Sequence, residues 1–169
     1  MTTEKLQDYI YEKFSKLDIE PLAADLSFIV PLEKYFDFCQ FLKNDPELQF
    51  ENLMCLTAVD QLENLELVVH LNSYSKRHRL AVKVRLPMDN PKIQSVTPLW
   101  PGVNWHEREA FDLYGIVFES HPDLRRILLA DDWEGFPMRK NYKHWNLVPL
   151  PDDITEVTKD YPTVPSPMR

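Results

Sequence analysis

Residues 79–86 alternate between apolar side chains and charged or small ones, and this pattern constrains the fold more than any other in the chain. One set is Leu80, Val82, Val84 and Leu86, and the other is Arg79, Ala81, Lys83 and Arg85. Because successive side chains of a β-strand point to opposite faces, this period of two predicts a strand with one buried face and one basic face.

The segments before this strand predict the rest of a sheet. Residues 53–60 and 65–72 are two further apolar runs, and the short polar links QLEN and SYSKRH favour an antiparallel meander of three strands. Residues 26–30 form a short run of strand formers that ends at Pro31, which cannot donate to a sheet ladder. A fourth strand is therefore expected there.

Two stretches with helical spacing flank that fourth strand. Residues 4–17 and 32–42 each place their apolar side chains on one face of a helix, and both helices are expected to pack on one face of the sheet. The predicted fold class is therefore α+β, in two layers, with a mixed and mainly antiparallel sheet and amphipathic N-terminal helices. A loop-rich motif region and an extended C-terminal tail are expected to follow.

Long regular elements are not expected after residue 86, because eleven of the fourteen prolines lie there. The apolar spacing that follows Pro91 predicts one short helix at 93–100. A short strand is expected at 116–118. From His121 the chain is expected to form a structured loop that is pinned by its apolar side chains.

A second helix is predicted between these two elements, at 105–114. Asn104 precedes it and Glu107 stands at its third position, an arrangement typical of a capping box. Gly115 stands where a left-handed C-terminal cap would fall. Both ends of this helix are thus marked in the sequence.

The net charge of the chain limits its partners. It is -8 at pH 7, with a pI near 5.1. Proteins that bind the phosphate backbone usually carry a basic face, so nucleic acid is not an expected partner. The N-terminus is charged from its fourth residue, and no stretch approaches the ~20 apolar residues of a membrane span. Neither export nor a transmembrane segment is therefore expected.

Cysteine and glycine usage argues against a bound cofactor. Cys39 and Cys55 are the only cysteines, and no spacing with histidine suits zinc or an iron–sulfur cluster. The glycines, Gly102, Gly115 and Gly135, are too scattered for a phosphate-binding loop. We therefore expect no metal, flavin or nucleotide in this chain.

Candidate acid and base residues lie in the second helix. His106 and Glu107 begin like a zinc-protease helix, but Ala110 stands where the second histidine would be needed, so metalloprotease chemistry is not expected. Arg108 and Asp112 are spaced as an i,i+4 pair on one helix face.

Basic and aromatic residues share the loop that follows. Its cations are Arg125, Arg126, Arg139 and Lys140, and its aromatic residues include Trp133 and Phe136. Arginine and aromatic side chains are enriched in the cores of protein interfaces, so this composition predicts an interface. The alternative is that the cations cap helix ends or pair with the loop's own acids, Asp131, Asp132 and Glu134.

The order of residues across 107–128 follows a known signature. It is matched in register by Glu107-Arg108-Glu109, Asp112, Leu113-Tyr114, His121, Arg125 and Ile127-Leu128, with LWPGVNW before it and DWEGFPMRK after it. On these residues the chain resembles the family of the C subunit of respiratory NADH:quinone oxidoreductase, complex I, with its plastid and cyanobacterial relatives. The resemblance covers residues 100–142 and extends upstream to about residue 53.

The resemblance implies a subunit of the peripheral arm of a proton-translocating NADH:quinone oxidoreductase, at the cytoplasmic face of the membrane or on the matrix or stromal side of an organelle. It implies a non-catalytic chain without cofactors that supports the hydrogenase-like quinone-reducing subunit. Flavin and iron–sulfur clusters would belong to partner subunits. The candidate interface residues are Glu107, Arg108, Glu109, Asp112, His121, Arg125, Arg126, Trp133, Arg139 and Lys140.

Residues 1–142 are expected to form one domain, and residues 143–169 an extended tail that docks on a partner subunit, because prolines and acids separate the tail's few apolar residues. Two alternative functions remain open. One is an accessory subunit of a related membrane-bound hydrogenase or formate hydrogenlyase. The other is a stand-alone hydrolase that uses Glu107, Asp112 and His121, although a lone histidine before proline is usually structural.

Overall fold

The computed structural model describes residues 3–14, 20–22 and 26–143, the second of these ranges for its backbone alone. Its elements in chain order are α1 (Thr3–Phe14), β1 (Glu20–Leu22), β2 (Ser27–Ile29), α2 (Tyr35–Asn44), β3 (Asn52–Asp60), β4 (Asn64–Ser73), β5 (His78–Pro87), β6 (Lys92–Gln94), α3 (Asn104–Tyr114) and β7 (Val117–Glu119). Short 3-10 turns at Leu32–Lys34 and Pro101–Val103 lead into α2 and α3. The tail predicted at 143–169 lies outside the described residues apart from Lys143.

Five strands form one sheet in the order β1-β2-β5-β4-β3. β3, β4 and β5 are the predicted antiparallel meander, with Leu67 opposite Ala58 on one side and Val84 on the other. β2 pairs with β5 in parallel, with Phe28 opposite Val82, and β1 adds an antiparallel edge. The predicted α+β class with a mixed, mainly antiparallel sheet is thereby confirmed.

One face of this sheet carries the core of the fold. Its central strands contribute buried side chains from alternate positions: Leu56, Ala58, Leu65, Leu67, Val69, Leu71, Leu80, Val82, Val84 and Leu86. α1 adds Leu6 and Ile10 to the same core, and α2 adds Phe38, whose ring lies 5.9 Å from that of Phe28. Burying each large apolar side chain stabilises the fold by about 1.5–3 kcal/mol, so both helices are held by apolar packing.

The opposite face of β5 is basic, as the alternation predicted. Arg79 and Arg85 of β5 are exposed there, and Lys83 stands between them along the strand. Lys83 Nζ lies 3.3 Å from Glu66 Oε1 of β4, so this cation is neutralised within the sheet.

The prediction of a helix at 93–100 is wrong. Residues 92–94 form β6, which pairs in parallel with β7 in a second, two-stranded sheet. Ile93 is buried opposite Phe118 and its neighbours in β6 are exposed, an alternation too short to be recognised in the sequence. Helical geometry is limited to one turn, in which Trp100 N donates to Val96 O at 3.0 Å. That single turn accounts for the helical spacing.

The predicted capping box of α3 is also wrong, whereas its predicted C-terminal cap is confirmed. Asn104 already has helical dihedrals (φ -45°, ψ -46°), and the N-terminus of α3 has no side-chain cap hydrogen bond. Gly115 is left-handed (φ 74°), and its N–H donates to Phe111 O at 2.9 Å. A Cβ at this position would overlap the ring of Phe136, so both the dihedral and the contact require glycine.

Candidate functional site on α3 and its loop

Asp112 of α3 holds the first part of the loop that follows β7. Its side chain is fully buried, and Oδ2 accepts the N–H groups of Ile127, Leu128 and Leu129 at 3.0, 2.7 and 2.9 Å. Oδ1 accepts Arg126 Nη1 at 2.8 Å. Burial opposes ionisation, but these donors outweigh it and lower the pKa of Asp112. This arrangement, called here the Asp112 clamp, therefore holds an ionised carboxylate inside the protein.

Arg108 holds the same loop from one helical turn away. Its Nε and Nη2 donate to Arg125 O and Arg126 O at 3.1 and 3.2 Å, and its Nη1 lies 3.9 Å from Asp123 Oδ2. The predicted i,i+4 pair of Arg108 with Asp112 is therefore wrong, because both side chains make their contacts with the loop.

Two arginines lie next to Phe136 and hold the second part of the loop by hydrogen bonds. Arg126 Nη2 donates to Trp133 O at 3.0 Å, and Arg139 Nε donates to Tyr114 O, at the C-terminus of α3, at 2.7 Å. Their guanidinium carbons lie 5.8 and 5.1 Å from the centroid of the Phe136 ring, within range of a cation–π interaction. Arg139 thus caps a helix end within the chain, which is one of the alternatives that the sequence left open.

Asp60 connects the end of β3 to the end of the loop. Its Oδ2 accepts the Lys140 N–H at 2.8 Å, and its Oδ1 accepts the Leu62 N–H at 2.7 Å. These bonds, the one from Lys140 first, lower the pKa of Asp60. The loop is therefore anchored at two places, residues 126–129 and residue 140, by ionised carboxylates.

Glu107 of α3 points toward the segment after β6 rather than toward the Asp112 clamp. Its side chain is fully buried, its Oε1 accepts the Val96 N–H at 2.8 Å, and its Oε2 accepts the hydroxyls of Ser95 and Thr97 at 2.6 and 3.0 Å. Burial raises the pKa of Glu107, and the hydrogen bonds offset this only in part. Glu107 and Asp112 thus have opposite pKa shifts, although both belong to α3.

His121 closes the other side of Glu107. Its imidazole is fully buried, its Nδ1 accepts the Asp123 N–H at 3.0 Å, and its Nε2 lies 3.3 Å from Asn104 O and 3.8 Å from Glu107 Oε2. Because Nδ1 is an acceptor, the ring proton lies on Nε2. Burial lowers the pKa of His121, so the ring is a neutral, structural group.

The candidate interface residues are divided between the interior and the surface. Glu107, Arg108 and Asp112 are buried, so they could serve an interface only by supporting its surface from below, and that role stays a prediction. The His121 side chain is buried too, whereas Arg126, Trp133 and Arg139 are half-buried, and Glu109, Arg125 and Lys140 are exposed. For the exposed residues an interface role stays a prediction.

Sequence reasoning missed several residues of this region. Ser95 and Asp60 were missed because their partners are distant in sequence, and no local pattern indicates such contacts. Trp105 and Leu128 were missed as surface residues, although they are 61% and 63% exposed. Trp105, which lies 5.1 Å from the Arg108 guanidinium, could have been found as an aromatic residue outside the apolar stripe of α3.

The described residues form neither a metal-binding group nor a membrane-spanning helix. Across 3–14, 20–22 and 26–143, no three histidine, cysteine, aspartate or glutamate side chains are grouped so as to hold a metal ion. No helix in those ranges has both the length and the apolar character needed to cross a bilayer.

Two solved structures resemble this fold. A trypsin-resistant fragment of Nqo5 superposes with a TM-score of 0.62 and 29% identity, over 73% of this chain and 100% of the fragment. A chain of the membrane-bound sulfane sulfur reductase, an archaeal respiratory membrane complex, superposes with a TM-score of 0.71 and 26% identity, over 98% of this chain and 94% of that chain. The α+β fold is thus shared with Nqo5 and with a chain of an archaeal respiratory membrane complex.

The sequence comparisons define the family. The model for the respiratory-chain NADH dehydrogenase 30 kDa subunit matches residues 28–146. The NADH-quinone oxidoreductase C subunit of Roseiflexus castenholzii is 49% identical over 121 residues, which are 70% of each chain, and that of Chlorobium phaeobacteroides is 47% identical over 118 residues, 68% of this chain and 71% of its relative. The chain belongs to the 30 kDa subunit family of respiratory NADH dehydrogenase, and the resemblance to the C subunit of complex I is confirmed.

Proposed function

We propose that this chain is a non-catalytic subunit, without cofactors of its own, in the peripheral arm of an NADH-quinone oxidoreductase. Its membership of the 30 kDa subunit family over residues 28–146 is the observation that carries this proposal. The engagement of its buried carboxylates also supports it, because Asp112 accepts four hydrogen bonds and Glu107 three. A hydrolase built on Glu107, Asp112 and His121 would need at least one of these groups to be open to a substrate.

The surface of α3 and its loop is the part of the chain that we infer contacts a partner. Trp105 and Leu128 expose apolar surface there, and the Arg125 side chain, 69% exposed, adds a cation. Aromatic, aliphatic and arginine side chains together are typical of interface cores. The partners are inferred to be the hydrogenase-like quinone-reducing subunit and the iron–sulfur subunits, which would hold the flavin and the clusters. The complex would then place the chain at the cytoplasmic face of the membrane, or on the matrix or stromal side in an organelle.

A second candidate is a subunit of a related membrane-bound complex with another electron donor or acceptor. The superposition on the sulfane sulfur reductase chain favours it, because that match covers 98% of this chain. The relatives named as the C subunit of NADH-quinone oxidoreductase, at 47–49% identity against 26%, favour the first candidate. Mass spectrometry of the chains that co-purify with the tagged full chain from its own cells distinguishes them. Flavin- and NADH-binding partners are expected, and their absence beside hydrogenase-type partners would favour the second candidate.

A charge-reversal experiment tests the non-catalytic role. Cells that lack the native gene would receive the wild-type chain, Arg125→Glu or the control Arg79→Glu, which changes an exposed arginine on the outer face of the sheet. Arg125→Glu is expected to reduce the amount of assembled complex on native gels, while quinone reduction per assembled complex is unchanged. Full assembly with lost turnover would contradict the proposal. Visible absorption and metal analysis of the purified chain test separately for a cofactor.

A further inference from the structure

Three oxygen atoms form a closed triangle in the interior, between α3 and the segment after β6. Ser95 Oγ lies 2.6 Å from Glu107 Oε2 and 2.8 Å from Thr97 Oγ1, and Thr97 Oγ1 lies 3.0 Å from Glu107 Oε2. Every pair is within hydrogen-bond distance. Ser95 and Glu107 are both 0% exposed, so these hydrogen bonds are shielded from solvent.

The three oxygen atoms can form hydrogen bonds with one another both with and without an added proton on Glu107. Without it, both hydroxyls donate to Oε2 of the carboxylate. With it, the new O–H of Glu107 donates to Ser95 Oγ, and the Ser95 hydroxyl turns from Oε2 to Thr97 Oγ1. Each donor has an acceptor in both arrangements, so the proton can be added while every heavy atom keeps its place.

We propose that Glu107 is a proton-binding site built into the interior of this chain, which takes up one proton from solvent water and accommodates it by redirecting the O–H bond of Ser95. The proton comes from water and returns to it, and only O–H bonds form and break. This inference concerns the chain's own interior and is independent of the proposed function. Burial supports it, because the raised pKa of Glu107 favours the protonated arrangement.

The groups that face Glu107 from the segment after β7 are compatible with this exchange. His121 is neutral, with its Nε2 3.3 Å from Asn104 O and 3.8 Å from Glu107 Oε2, so it places no charge beside Glu107. The nearest charges beyond it are Arg108, which lowers the pKa of His121, and Asp123, which raises it. These two charges act on the ring in opposite directions.

Two titratable groups of α2 interact electrostatically with Glu107, and both are neutral as well. Tyr35 and Cys39 are fully buried, and burial raises the pKa of both side chains, so neither is ionised near pH 7. A negative charge on Glu107 raises both pKa values further. Glu107 is therefore the group of this buried cluster that we expect to change its charge.

Carbon-13 NMR of the glutamate carboxyl groups in the full chain, titrated from about pH 4 to about pH 8, tests the proposal. Glu107→Gln identifies the Glu107 signal by its loss, and Glu109→Gln, an exposed glutamate on the same helix, is the matched control. We expect Glu107 to titrate at a clearly higher pH than Glu109. We also expect the amide shifts that follow the Glu107 curve to be confined to residues 95–97, 107 and 121.

Two results would overturn the proposal. One is a Glu107 carboxyl that titrates with or below Glu109. The other is a set of amide shifts that follow the Glu107 curve but extend into residues 125–140, which would mean that protonation rearranges the loop. If Glu107→Gln does not fold, the Val96 amide and the nitrogen shifts of the His121 ring in the wild-type chain report the same titration.

Discussion

The five-stranded sheet and the loop at 120–143 are stabilised by different forces. In the sheet, apolar side chains from α1, α2 and the central strands pack in one layer. The loop contains no helix or strand, and its attachment depends on side chains that bind backbone groups, with Asp112, Arg108, Arg139 and Asp60 as the principal ones.

This difference changes how each region responds to mutation. Apolar burial is distributed over many side chains, so one truncation removes a fraction of the packing. A buried carboxylate concentrates several hydrogen bonds in one residue, so its loss leaves several donors unsatisfied at once. The loop should therefore depend on a few residues, and the sheet on many.

Asp112→Ala is expected to have the largest effect. It leaves Arg126 and three backbone N–H groups without their acceptor, and removing one partner of a buried charge pair costs about 3–5 kcal/mol. Amide exchange should show the loss first at residues 126–140, before the sheet. If the sheet and the loop lost protection together, the two regions would be one cooperative unit and the comparison would fail.

Leu67→Ala is expected to destabilise the whole fold by about 2–5 kcal/mol, because it opens a cavity at the centre of β4. Denaturant unfolding followed by circular dichroism measures this change. Leu62→Ala is the control, since Leu62 is 66% exposed and should change stability by less than about 0.5 kcal/mol. Equal effects of the two variants would contradict the position of the core.

Gly115→Ala is expected to cost about 1–3 kcal/mol, because alanine is strained at φ 74° and its Cβ would overlap Phe136. Gly102→Ala is the matched control, because a Cβ there meets nothing within 4 Å. Thermal unfolding of both variants measures the difference. A Gly115→Ala chain as stable as Gly102→Ala would show that Phe136 does not seat against the helix end.

The stability of the loop is expected to fall in acid and to be independent of pH above about pH 5. The pKa values of Asp112 and Asp60 are lowered in the folded chain, so their contribution to stability is present above the unfolded pKa of about 4 and is lost as the pH falls through the folded pKa. Limited proteolysis with an acid protease, at pH values on either side of 4, measures this. Asp112→Asn should weaken the dependence, and an unchanged dependence would exclude the clamp as its source.

Glu66→Gln should have the smallest effect, about 0.2–1 kcal/mol, because its ion pair with Lys83 lies on the partly solvated outer face. Chemical unfolding at low and high salt measures it, and the difference from wild type should shrink as salt is added. A loss as large as that of Leu67→Ala would mean that the outer face is part of the core.

The predictability of these regions from the sequence follows from the same physics. The meander and the left-handed cap at Gly115 could be predicted because a period of two and a cap glycine are local signals. β6 could not be, since a single buried Ile93 between polar neighbours does not make a period. The Asp112 clamp joins residues fourteen to seventeen positions apart, and the contact of Asp60 with Lys140 joins residues eighty positions apart. Helical spacing therefore led to a pair between Arg108 and Asp112 that does not exist.

The parallel pairing of β2 with β5 determines the order in which the strands can pair while the ribosome synthesises the chain. The meander can close by itself, because its three strands follow one another through short turns. β2 can pair only after β5 has been synthesised, because Phe28 lies opposite Val82 and parallel pairing needs a long crossover. Until β5 has emerged from the ribosome, the apolar faces of β2, α1 and α2 are not covered by the sheet. During this interval the nascent chain is most exposed to aggregation and to binding by chaperones.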